Sequence, residues 1–82
     1  MTDHTIKLKA LRIILRSFDC WEVTSRGKGS HTMFFRKVGD STFSIPVPKR
    51  NDVLVCYVRK ARRIFRLTEQ DEITDEDFYS RA

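Results

Sequence analysis

Cysteine and histidine are scarce: Cys20, Cys56, His4 and His31 are the only ones in 82 residues. The two cysteines form no Cys-x-x-Cys pair, and with two histidines they make no cluster of the kind that ligates a structural zinc. No metal and no cofactor is therefore expected. Both cysteines are expected as small core residues, a disulfide being unlikely to persist in a reducing compartment. Long apolar runs are missing too, and nothing approaches the roughly 18 consecutive apolar residues that span a bilayer. The first residues show neither the apolar core nor the small-residue cleavage site of a signal peptide, so a cytoplasmic protein without a membrane partner is expected. There is no internal repeat or low-complexity tract. A chain this short has room for one thin hydrophobic core, which makes residues 1–82 a single domain, with a core over about residues 5–67 and an acidic extension over 68–82.

Negative charge is also scarce over most of the chain. Residues 1–67 hold 15 Lys and Arg against 5 Asp and Glu, a net +10, whereas residues 68–82 hold one Arg against six acids, a net −5. A basic body is the electrostatic footprint of a nucleic-acid binder, although a basic face can also dock an acidic protein.

Leu8, Leu11, Ile14, Leu15 and Phe18 recur at helical spacing, with Lys9, Arg12 and Arg16 on the other side. They predict a first helix over about residues 5–19, capped by Thr5 or Asp3. At Trp21 the period changes to two, and Trp21, Val23 and Ser25 alternate with Glu22, Thr24 and Arg26 as in a half-buried strand. A second strand spans about 31–38, where adjacent Phe34 and Phe35 leave the inward parity open. Gly39-Asp40 makes a hairpin turn into a third strand over 42–47, with Phe43, Ile45 and Val47 sharing a face. Pro46 and Pro48 cannot donate to a ladder, so that strand should lie at an edge or end there.

Asn51 or Asp52 is expected to cap a second helix whose apolar stripe is Leu54, Val58, Ala61 and Phe65, with Tyr57 and Ile64 at its margins. Arg59, Lys60, Arg62, Arg63 and Arg66 form either its solvated face or part of a phosphate-binding surface. Thr74-Asp75-Glu76-Asp77 starts a short third helix carrying Phe78 and Tyr79. The predicted class is α+β: an α-β-β-β-α sandwich of a three-stranded antiparallel sheet with two helices on one face, plus a short C-terminal helix. Double-stranded-RNA-binding domains share this order, and fold alone assigns no function.

Chemistry concentrates in Arg26-Gly27-Lys28-Gly29-Ser30-His31, between the first and second strands. Glycine lets a backbone approach a ligand, Arg and Lys suit phosphate, and an imidazole titrates near neutrality. A basic hairpin turn leading into a strand would carry the same residues, so the string alone is weak.

Arg26-x-Lys28-Gly29-Ser30-His31 entering an aromatic strand, followed by Ile45-Pro46-Val47-Pro48-Lys49 closing the next, resembles the HicA toxins of bacterial and archaeal toxin-antitoxin pairs. The resemblance covers about residues 6–67, including a helix-then-Trp entry at Phe18 to Trp21. It implies an mRNA interferase, a small metal-independent ribonuclease of double-stranded-RNA-binding-like fold held inactive by a HicB-like antitoxin, with the catalytic histidine at His31. The chain has Cys20 where that family often has Gly, Thr32 where a second His is frequent, and Asp52-Val53 in place of a Gly-Thr pair.

On this reading RNA supplies its own nucleophile, the 2′-hydroxyl, and His31 acts as base or as acid for the leaving oxygen. Arg26 and Lys28 hold the scissile phosphate, Ser30 orients it, and Lys49 and Arg50 track the backbone. With one imidazole at the site, the second proton transfer falls to water or a partner and the enzyme is expected to be slow. The alternative is a non-catalytic module that recognises duplex RNA by shape.

Overall fold

The computed structural model describes residues 3–24 and 29–82. A two-residue strand β1 (Ile6–Lys7) runs directly into helix α1 (Leu8–Ser17). Three strands follow, β2 (Trp21–Thr24), β3 (His31–Val38) and β4 (Ser41–Pro48), then a two-residue strand β5 (Asp52–Val53). Helix α2 (Val55–Ile64), a 3-10 turn at Glu69–Asp71 and helix α3 (Asp75–Ser80) complete the chain. The main sheet is antiparallel in the order β2-β3-β4, with β4 at an edge as its prolines require. The architecture is α+β. The ribbon formed by β1 and β5 was not anticipated by periodicity, and it resets both helix starts.

Ile6 and Lys7 pair with Val53 and Asp52, and Leu8 N–H donates to the Asn51 carbonyl at 2.8 Å. A backbone bond thus replaces the Thr5 or Asp3 cap expected for α1, which begins at Leu8. The same pairing draws Asp52 into β5, so neither it nor Asn51 caps α2, whose N-cap is Leu54 with no side-chain hydrogen bond. Leu54 is consequently 56% exposed rather than part of the buried stripe. Thr74 does cap α3, accepting from the Asp77 N–H at 3.0 Å.

The core joins the α1 stripe, all five of its predicted residues buried, to Phe34, Ile45 and Val47 of the sheet and Val58, Ala61 and Phe65 of α2. It does not stop at residue 67. Phe78 of α3 is fully buried and stacks on Phe18 with 6.0 Å between ring centroids, so the acidic segment completes the core. Cys20 is buried, and burial pushes its thiol up to about 11. Cys56, expected inside, is exposed on α2.

On β2 the apolar set faces outward. Trp21 and Val23 are 46% and 52% exposed, and Glu22 turns toward the helices. That inward carboxylate is matched by Arg12 of α1, which donates to both its oxygens at 2.9 and 3.1 Å, and by the buried Thr32 hydroxyl at 2.6 Å. Burial alone would raise the Glu22 carboxyl, but these bonds outweigh it and hold it below its ordinary value. Register then settles β3: Phe34, opposite Glu22 and Ile45, points inward, and Phe35, opposite Trp21 and Ser44, points outward.

Two arginines close the helix-covered side. Arg36, at an inward position of β3, donates to the Phe18 carbonyl (3.0 Å) and to the Phe65 carbonyl, so one cation satisfies orphan carbonyls at the C-termini of α1 and α2. Arg62, expected on a solvated or phosphate-binding face, is only 4% exposed. It donates to the Leu67 and Ile73 carbonyls at 2.8 and 3.1 Å and to the carboxylates of Asp3 and Asp75, over the Phe78 ring at 4.7 Å.

Candidate functional site

His31 is the first residue of β3, exposed, with its Nδ1 3.0 Å from Ser30 Oγ. Its cross-strand partner is Pro48, which has no N–H to give; the next residue instead donates, Lys49 N–H to the Ser30 carbonyl at 2.8 Å. That bond fixes the backbone before His31 to the end of β4. The hydroxyl and imidazole are thereby held on a strand end whose position the sheet determines.

Chain reversal after β4 brings Arg50, Asp52 and the start of α2 up to this strand end. Together Ser30, His31, Pro48, Arg50, Asp52, Val53, Leu54 and Tyr57 line a cleft of about 360 Å³. A larger hollow of about 690 Å³ lies beside α2 and the acidic segment, lined by Arg59, Lys60 and Arg63 and by the Arg62 ion pairs. It contains no imidazole, so proton-transfer chemistry points to the smaller cleft. Val53 and Leu54 form the wall where α2 begins, and that first turn carries no acidic residue and no side-chain cap. The N–H groups and dipole of a helix start favour an anion there. Asp52 is turned to Lys7, with Nζ and Oδ1 2.8 Å apart and both side chains well exposed.

The Ser30–His31 pair works in either direction. With Nδ1 protonated and donating to the serine oxygen, Nε2 has a lone pair and can take a proton; with Ser30 donating, Nε2 bears the proton and can give it.

Of the residues expected at the site, Ser30, His31 and Arg50 meet at the cleft, and Lys49 adjoins it through its backbone bond to Ser30. Arg26 and Lys28 lie outside the described residues. Asp52 and Tyr57 were missed as cleft residues. Tyr57 had a signal, its place on the margin of the α2 stripe, where a side chain is half covered. Among the described residues no three His, Cys, Asp or Glu side chains come together as a metal-ligand set, and no helix is long and apolar enough to cross a membrane. Comparison with family models, curated proteins and solved structures returns no match to the chain.

Proposed function

We propose that the chain is a HicA-like toxin, an endoribonuclease that cuts RNA with His31 as its acid-base residue. The observation that carries the reading is the exposed Ser30–His31 pair opening on a cleft shared with Arg50 and the uncapped start of α2. A 2′-hydroxyl seated there loses its proton to His31 Nε2 as its oxygen attacks the adjacent phosphorus. The phosphorus–5′-oxygen bond breaks, a proton from imidazolium or water goes to the leaving oxygen, and a 2′,3′-cyclic phosphate remains. Arg50 and the first N–H groups of α2 stabilise the charge that builds on the pentavalent phosphorus. Helices on one face of a three-stranded antiparallel sheet support a double-stranded-RNA-binding-like fold. A HicB-like antitoxin in the cytoplasm would neutralise the toxin by covering this cleft.

The test uses end-labelled RNA with excess EDTA, wild type beside His31→Ala, and a substrate carrying 2′-deoxyribose at the cut position. EDTA-resistant cleavage lost in both the mutant and the deoxy substrate supports the reading. Binding without cleavage would make the chain a non-catalytic RNA-binding module.

A further inference from the structure

The sheet face turned away from the helices carries side chains that fold stability does not explain. Trp21 and Phe35 are cross-strand partners on it, stacked with ring centroids 5.7 Å apart and planes within 13° of parallel. Val23 pairs with Met33 beside them, and Trp21 and Val23 are about half exposed. On the far side of β3, Phe35 faces only Ser44, a small side chain that leaves the space above the sheet open. His31 has the same parity as Met33 and Phe35, which follow it about 7 and 13 Å further along the strand. The aromatic pair and the candidate base thus share one surface.

Charge carried to that face by the three strands has one sign. Glu22, the only carboxylate on these three strands, points to the opposite face and is held by Arg12 and Thr32. Lys37, two residues beyond Phe35, is exposed with the same parity, and Arg50 stands at the other end beside His31. An aromatic platform between cations, on strands that turn no carboxylate to it and with the Asp52 of the cleft paired to Lys7, complements a polyanion that carries flat rings.

We infer that this open face is a base-stacking platform for single-stranded RNA, holding the bases that flank the phosphate cut at His31. The inference rests on the ribonuclease reading and deepens it by naming the substrate class. A duplex keeps its base faces stacked inside and has none to offer Trp21 or Phe35, whereas splayed bases stack readily on aromatic side chains. Every base has a π-face, so the platform sets strand preference without selecting a sequence. Sequence selection, if the enzyme has it, belongs to the cleft.

Trp21 is the only tryptophan in the chain, so its emission reports on the platform directly. The experiment titrates the wild-type protein with a single-stranded 2′-O-methyl RNA, which cannot be cut, and with the same strand annealed to its complement. The single strand is expected to quench Trp21 and bind tighter than the duplex. Phe35→Leu keeps apolar bulk while removing the ring, and should weaken single-strand binding on the order of 10-fold with unchanged thermal unfolding. Should Phe35→Leu unfold, Met33→Ala, beside the platform, serves as the fold-neutral probe and should lower the quench on the same strand. Equal affinity for strand and duplex with Trp21 emission unmoved overturns the inference, whether or not cleavage requires His31. A concentration-dependent dimer whose Trp21 emission ignores RNA also overturns it, and assigns the face to a second copy. If the platform behaves as stated but RNA with free 2′-hydroxyls is never cut, the ribonuclease reading falls and the binding surface stands.

Discussion

The two ends of α2 put arginines to opposite uses. Arg62, in its last turn, gives its donors to two carbonyls and two carboxylates and is buried over Phe78. Arg50, ahead of the short strand β5 that leads into the helix, is exposed at a cleft it shares with His31 and the first turn. Both count equally in the net charge of the basic body, yet only one can meet a ligand. Composition locates a possible phosphate surface, and satisfaction of donors decides which cations belong to it.

Breaking the buried end should have the largest effect. Arg62→Ala leaves the carboxylates of Asp3 and Asp75 facing each other without their cation and is expected to cost about 3–5 kcal/mol, read by chemical denaturation. In a domain this small that is most of the stability. Removing residues 74–82 takes away both Asp75 and the buried Phe78, and a loss of cooperative unfolding in calorimetry is expected rather than a gain in RNA affinity. A truncated protein that unfolds at the wild-type temperature would return the acidic segment to the role of a charged tail.

A smaller effect comes from pH. Burial alone would raise the Asp3 carboxyl, but hydrogen bonds from Arg62 and Tyr79 and the Arg62 charge hold it below its ordinary value of 3.8. Glu22 is held below 4.5 in the same manner by Arg12 and Thr32. A carboxyl lowered in the folded state contributes stability that is fully present above its ordinary value and is lost as pH falls through the folded value. Unfolding temperature should therefore be flat from about pH 5.5 to about pH 8 and decline at lower pH. Glu22→Gln and Asp3→Asn should each flatten that decline, and an acid limb unchanged in both would contradict the linkage.

How far this contrast could be read from the sequence varies by element. The α1 stripe, the span of β3 and the Gly39-Asp40 turn, with Gly39 at φ 62°, were legible because periodicity and turn chemistry act locally. The tight turn also contained the answer to the Phe34–Phe35 question. Counting back from Val38 opposite Ser41 sets Phe34 against Ile45, which already had an inward face. The parity of β2 was not legible in that way, since six residues separate Thr24 from His31 in the sequence and no two-residue turn motif sets their register. Its apolar residues lie on the open face, and the part-buried Arg12–Glu22 pair could be found only once α1 lay over the sheet. Helix starts failed for a related reason, because β1 and β5 are two residues long and come from opposite ends of the core.

The smallest change in stability belongs to the exposed end. His31→Ala removes an exposed side chain whose hydrogen bond is to the neighbouring Ser30, and should alter stability by less than about 0.5 kcal/mol. A larger loss in thermal unfolding would make the imidazole a structural residue like Arg62.

The central claim, that His31 moves a proton during RNA cleavage, is tested most directly by single-turnover cleavage of one RNA by wild type and His31→Ala, at protein concentrations that saturate both. The account predicts a cleavage rate lower by roughly two to four orders of magnitude in His31→Ala, with RNA affinity and unfolding temperature close to wild type. Cleavage at the wild-type rate by the folded, RNA-saturated variant would contradict it.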